Sequence, residues 1–241
     1  MDALIVGAGA VGRWAARYVD GSLAFADADR AAAAAAADEF DDAAQVALGG
    51  EETYDLVCVA VPMRSATSVI EDQARRAERA LVDCTGSMTA PLETMASVAE
   101  DRERASYHPL FAPAYGPGRI AVSTGESGPV TDRLETAMEA DGNDLVRVSA
   151  ATHDDAMRTI QGRTHAAILA FGLAADDVPE ALATPVYEDL QALRERVTGG
   201  SAGVYADIQA VFDGAADVGA AADRLAGADR ERFEALYDDA G

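Results

Sequence analysis

The sequence predicts an α/β domain built on a mostly parallel sheet, followed by an all-α C-terminal domain. Three observations carry that expectation. Short apolar runs alternate with helix-period segments through the first 150 residues, a glycine-rich turn joins the first run to the first helix, and no convincing strand follows Ala150. The boundary is therefore placed near 150, giving domains 1–150 and 151–241.

Leu4-Ile5-Val6 is the first strand, and the segment after it places Val11, Trp14, Ala15 and Tyr18 on one helical face. Ser22–Asp27 reads as a second strand and leads into an alanine-rich helix through Asp38. Leu56–Val61 is a continuous buried strand closed by Pro62. A helix from about Ser65 to Arg79 precedes the strand Ala80–Asp83. Strands apolar on both faces are those of parallel βαβ units. From Tyr107 the pattern loosens, and His108-Pro109 opens a Pro/Gly-rich stretch. Ile120–Val122 and Leu145–Val148 read as further strands of the same sheet, around a helix from about Val130 to Ala140. His153–Leu173 reads as one long helix, with three or four more after Pro179.

Between the first strand and first helix stand Gly7-Ala8-Gly9-Ala10-Val11-Gly12, a G-x-G-x-x-G turn. The first glycine makes the turn, the second lets backbone approach a pyrophosphate, and the third lets helix pack on strand. This is the fingerprint of a Rossmann-type dinucleotide-binding domain, with Ala10 and Val11 in the helical turn that faces the phosphates. Asp27 lies 20 residues after Gly7, where a carboxylate binds both ribose hydroxyls and repels a 2′-phosphate. NAD is therefore the expected cofactor, and Arg30 is the nearby cation that could instead accept the phosphate of NADP.

Composition narrows the function classes. Of 241 residues 49% are hydrophobic, enough for packed cores, and no run is long enough to span a bilayer. The N-terminus lacks the basic start and cleavage site of a signal peptide, so a cytoplasmic protein is expected. Acidic residues number 42 against 19 basic, a net charge of −23, and every basic residue is arginine. Such a surface repels nucleic acid and anionic lipid. It suits multimolar salt, where the screening length falls to about 3 Å at 1 M, and it resembles the composition of salt-in halophiles; an acidic protein from a GC-rich genome is the alternative. Cys58 and Cys84 have no partners at metal-ligand spacing, so no metal site is expected and both read as buried, reduced thiols.

Several segments together resemble one enzyme family. Tyr107-His108-Pro109-Leu110-Phe111-Ala112-Pro113 is similar to the H-P-M-F-G-P segment of prephenate dehydrogenases. His153-Asp154, with Gln161 and His165 after it, resembles that family's H-D…Q…H helix. Thr184-Pro185-Val186-Tyr187 is similar to S-P-I-Y, and Tyr205-Ala206-Asp207-Ile208 matches Y-A-D-I. Arg196 falls where the family carries a substrate-binding arginine. The resemblance covers nearly the whole chain.

It implies an NAD-dependent oxidative decarboxylation of prephenate to 4-hydroxyphenylpyruvate, as in tyrosine biosynthesis. On that reading His108 is the catalytic residue that binds and deprotonates the ring hydroxyl, since imidazole titrates near neutrality. The alternative for it is a loop histidine capping backbone near Pro109. Arg196 would hold a substrate carboxylate with its planar fork, unless Glu195 or Asp189 pairs with it. His165 and Gln161 would reach substrate and His153 would sit beside the cofactor, though His153 and Gln161 could equally serve a dimer contact. The family's D-x-x-S-x-K is changed here to Asp83-Cys84-Thr85-Gly86-Ser87-Met88. Ser87 restores the usual serine-to-histidine distance, Thr85 is a second candidate hydroxyl, and the lysine is missing.

Arogenate or cyclohexadienyl dehydrogenase is the nearest rival. The related β-hydroxyacid and imine reductases use a lysine, which this chain lacks altogether, and a non-catalytic NAD-binding regulator is the rival from another class. Ala166, Ala167, Ala170 and Phe171 extend an apolar face that suggests a homodimer through the C-terminal helices.

Overall fold

A computed structural model describes all 241 residues, which separate into two compact units, Met1–Asp154 and Asp155–Gly241. No helix is long and apolar enough to cross a membrane.

The first unit is an eight-stranded sheet. Its strands are β1 (Ala3–Val6), β2 (Leu23–Ala26), β3 (Ala44–Gln45), β4 (Tyr54–Val59), β5 (Ala77–Asp83), β6 (Glu103–Pro109), β7 (Arg119–Glu126) and β8 (Asp144–Arg147), in the order β3-β2-β1-β4-β5-β6-β7-β8. Every pairing is parallel except β6–β7. Strand alternation divides the apolar residues between two faces. Ile5, Phe25, Cys58, Val82 and Tyr107 pack under α1 (Ala10–Ala16), α2 (Arg30–Ala37) and α5 (Pro129–Ala140). Leu4, Val6, Val57, Val59 and Leu81 pack under α3 (Ala66–Gln73) and α4 (Thr89–Val98). The alanine run from Ala31 serves this arrangement, because Ala33 and Ala36 are fully buried where α2 lies close on the sheet.

Two strands escaped the sequence reading. β3 is two residues long, too short to carry a period. β6 was obscured by Arg104, Ser106 and His108, which alternate with Ala105 and Tyr107 and are buried all the same. His108 is therefore a strand residue beside the sheet's parallel-to-antiparallel switch rather than a loop residue.

The helix expected over His153–Leu173 is also different. It begins as α6 (Ala150–Met157), continues as a π-helical stretch Arg158–Arg163 and ends as α7 (Thr164–Ala174). The second unit adds α8 (Pro185–Thr198), α9 (Ala202–Phe212), α10 (Gly214–Ala226) and α11 (Arg230–Asp239). The wide π turn has a visible cause. Gly214, at the sharp corner from α9 into α10, lies so close that a Cβ there would meet the Gly162 carbonyl carbon at 2.0 Å. The Gly162 carbonyl accepts from Gln209 Nε2 at 2.8 Å, and Arg163 pairs with Asp217 of α10. The helix widens where a neighbouring chain segment crosses it and supplies replacement hydrogen bonds.

Candidate active site

The glycine turn differs at each of its three positions. Gly7 has φ +105°, and a Cβ there would meet the Ala60 carbonyl oxygen at 2.2 Å. At Gly12 a Cβ would lie 1.9 Å from the Gly7 oxygen, so the third glycine is what lets α1 sit on the loop. At Gly9, by contrast, φ is −75° and no atom of the chain lies within 4 Å of a Cβ position. Nothing within the protein requires glycine there. The open space in front of it, beside Ala10 and Val11 of the first turn of α1, fits a group that must lie against bare backbone. Asp27 stands at the end of β2 with its carboxylate fixed by the amides of Ala8 (2.7 Å) and Asp29 (2.8 Å). These residues fit a dinucleotide with its pyrophosphate over Gly9 and a ribose at Asp27. Arg30 is exposed at the start of α2.

The second cluster gathers around the ends of β5 and β6. His108 Nδ1 lies 2.9 Å from His153 Nε2, and His153 Nδ1 lies 2.8 Å from Asp154 Oδ1. Asp154 in turn accepts from the backbone amides of Met88 (3.0 Å) and Thr89 (2.9 Å) at the start of α4. Both rings are buried. Burial, with the second ring adding to it, lowers His108 to about 3 against the smaller opposing effect of Asp154, so the ring is neutral at working pH. Burial alone would raise Asp154, but hydrogen bonds from His153, Thr89 and Met88 overcome it and hold the carboxylate at about 2. Both ring nitrogens of His153, expected beside the cofactor, are engaged inside the protein, one by His108 and one by Asp154.

The altered loop lies between these groups. Thr85 donates its hydroxyl to Asp83 at 2.6 Å, and its oxygen also lies 3.0 Å from the Ser87 carbonyl oxygen. Its single proton is thus spent within the loop, which favours Ser87 as the hydroxyl offered to substrate. A Cβ at Gly86 would sit 2.8 Å from the Met63 sulfur, so a side chain three residues after Asp83 would have to displace that thioether. Met88, at the lysine position, is fully buried.

Asp83 beneath the loop is wholly buried, and desolvation pushes its carboxyl up to about 6 despite hydrogen bonds from the Thr85 hydroxyl and amide. In an unfolded chain it would titrate near 4. The folded protein therefore keeps a proton that the unfolded chain has lost between about pH 4 and 6. The associated stability is present below pH 4 and lost as pH rises through 6. Asp83→Asn should consequently gain about 2–3 kcal/mol relative to the parent between pH 4 and 7.5, measured by urea unfolding at each pH. A difference that stays constant with pH would contradict this account of Asp83.

The other candidates lie in the second unit. His165 is partly buried, meets the Tyr205 ring edge-on at 4.9 Å and is lowered by burial. Gln161 falls in the π-helical stretch. Arg196 is exposed in the last turn of α8 and makes no ion pair with Glu195 or Asp189. No hydrogen bond or ion pair joins it to Gln161 or His165. The apolar face expected for dimerisation is narrower than its sequence suggested, because Ala166 is buried and Phe171 packs on Tyr187 at 6.0 Å. Leu173, Leu182 and Val186 are the strongly exposed apolar residues nearby in sequence.

Against known proteins, no family model matches the chain. It is 31% identical over 229 residues to the 4-amino-4-deoxyprephenate dehydrogenase of Streptomyces pristinaespiralis, an alignment covering 88% of this chain and 77% of that protein. Among solved structures, prephenate dehydrogenase from Aquifex aeolicus, in complex with hydroxyphenyl propionate and NAD+, matches with a TM-score of 0.71 and 15% identity, over 98% of this chain and 95% of that one. Synechocystis arogenate dehydrogenase matches with a TM-score of 0.64 and 15% identity, over 99% and 97%. At that identity the two structures establish a shared fold, while the Streptomyces protein establishes kinship.

Proposed function

The chain belongs to the prephenate dehydrogenase family of oxidoreductases, and from that premise we propose that it oxidatively decarboxylates prephenate to 4-hydroxyphenylpyruvate with NAD. The observation that carries this reading is the neutral, buried His108 held beside the Ser87 loop in the same unit as the dinucleotide turn. NAD bound at Gly9 and Asp27 supplies the hydride acceptor. The chain's own residues supply the rest. Ser87 and His108 hold the ring hydroxyl, and His108 accepts its proton as the carbinol carbon gives up hydride. The C–C bond to the ring carboxylate then breaks, its electron pair makes the ring aromatic, and carbon dioxide leaves. The proton held by His108 returns to the phenolate oxygen. Arg196 is assigned to a substrate carboxylate, with Gln161 and His165 as further polar contacts. The exposed Leu173, Leu182 and Val186 are assigned to a homodimer contact.

A second reading comes from the Streptomyces relative, whose substrate carries an amino group in place of the ring hydroxyl. A neutral His108 accepts a proton from either group, and the Gly86-Ser87 change lies where the two substrates would differ. The deciding experiment compares kcat/KM for prephenate, arogenate and 4-amino-4-deoxyprephenate, in molar KCl to suit the charge of −23. Prephenate should rank first; a higher value for the amino substrate would replace the first reading with the second. The cofactor assignment has its own test. Asp27→Ser removes the carboxylate beside exposed Arg30 and should shift the NADP/NAD ratio of affinities by about tenfold, roughly 1.4 kcal/mol. An unchanged ratio in a binding titration would remove Asp27 as the discriminating residue.

A further inference from the structure

A buried base lowered to about 3 is ready to accept a proton but poor at keeping one, and the groups behind it answer that difficulty. We propose that His153 and Asp154 are positioning residues for His108. Asp154 fixes the tautomer of His153, His153 fixes that of His108, and His153 takes up the positive charge while His108 holds the substrate's proton.

The amides of Met88 and Thr89 can only donate, and the Asp154 carboxylate can only accept, so its orientation is set by backbone. His153 Nδ1, 2.8 Å away, must then carry a proton. On a neutral ring that leaves a lone pair at His153 Nε2, which accepts at 2.9 Å from His108 Nδ1. The lone pair of His108 is consequently at Nε2. When that atom takes the substrate proton, the Nδ1 proton of His108 can cross to His153 Nε2. One O–H and one N–H bond break and two N–H bonds form. His108 is neutral again, and the charge rests on His153 against the Asp154 carboxylate. Aromatisation of the ring runs the transfers backwards and returns the proton to the phenolate. Among the groups bearing on this relay, Asp154 and Asp83 at the end of β5 interact electrostatically, Ala121 of β7 lies opposite His108, and α4 supplies backbone amides.

The kinetic part of this inference rests on the dehydrogenase reading, whereas the tautomers can be read without any substrate. The chain has three histidines. Nitrogen-detected correlation spectra of the full-length protein labelled with 15N-histidine, assigned with His165→Gln and His108→Asn, should show His108 and His153 both protonated at Nδ1 near pH 7. A proton on Nε2 of either ring would overturn the proposal whether or not the protein turns over any substrate. Asp154→Asn should then lower kcat about tenfold with KM nearly unchanged, and move the acid limb of kcat/KM down by about one pH unit. An acid limb that stays in place with kcat intact would equally overturn it. Absence of turnover by the parent protein with all three substrates would instead reject the dehydrogenase reading and leave the spectra to decide the tautomers.

Discussion

Replacing His108 with asparagine should lower kcat by about a thousandfold, near 4 kcal/mol of transition-state stabilisation, while leaving fold and NAD affinity in place. Asparagine is the informative choice because its amide nitrogen overlies the Nδ1 position and can still donate to His153. What it lacks is a second nitrogen to accept the substrate proton. His108 lies in β6 between β5 and β7, so a smaller or apolar residue would also disturb the sheet and confuse the comparison. Urea unfolding should show the variant within about 1 kcal/mol of the parent. A fall in kcat of less than tenfold would mean that another group takes the proton.

The second large effect separates two glycines of one motif. Gly12→Ala places a methyl 1.9 Å from the Gly7 carbonyl oxygen, a backbone atom that cannot swing aside, and 3.2 Å from the Ile5 side chain. It should cost on the order of 3–5 kcal/mol and lower the melting temperature by roughly 10 °C. Gly9→Ala meets nothing in the chain and adopts an ordinary φ, so stability should stay within about 0.5 kcal/mol. Its cost should fall on NAD, whose pyrophosphate would have to lie where the methyl is, with affinity reduced at least about tenfold. Calorimetry and an NAD titration on both variants check this. A Gly9→Ala protein that binds NAD as tightly as the parent would remove the pyrophosphate from that loop.

The contrast also shows what a sequence can and cannot carry. Gly7, Gly9, Gly12 and Asp27 are legible because their roles are local. Each sits at a fixed offset within one βαβ unit, and the alternation of strand and helix around them gives the sheet. β6 was not legible because its outward positions are filled by Arg104, Ser106 and His108, which look like loop residues until their burial is known. The π-helical stretch depends on Gly214, more than fifty residues away, and no helical period announces such a crossing. Likewise His153 and Asp154 stand out as a motif, yet nothing in their own neighbourhood says that they meet His108, 45 residues earlier. That pairing is made by the fold, across two elements far apart in the chain. The substrate was least legible, because the altered Gly86-Ser87-Met88 segment departs from the family pattern where the ring substituent would be read.

The most direct test of the central claim supplies prephenate and NAD to the purified protein in molar KCl and measures reduced cofactor and carbon dioxide together. Equal amounts of both should form, with 4-hydroxyphenylpyruvate as the product, and neither from His108→Asn on the same timescale. A folded protein that binds NAD yet reduces none of it with prephenate, arogenate or 4-amino-4-deoxyprephenate would contradict the account.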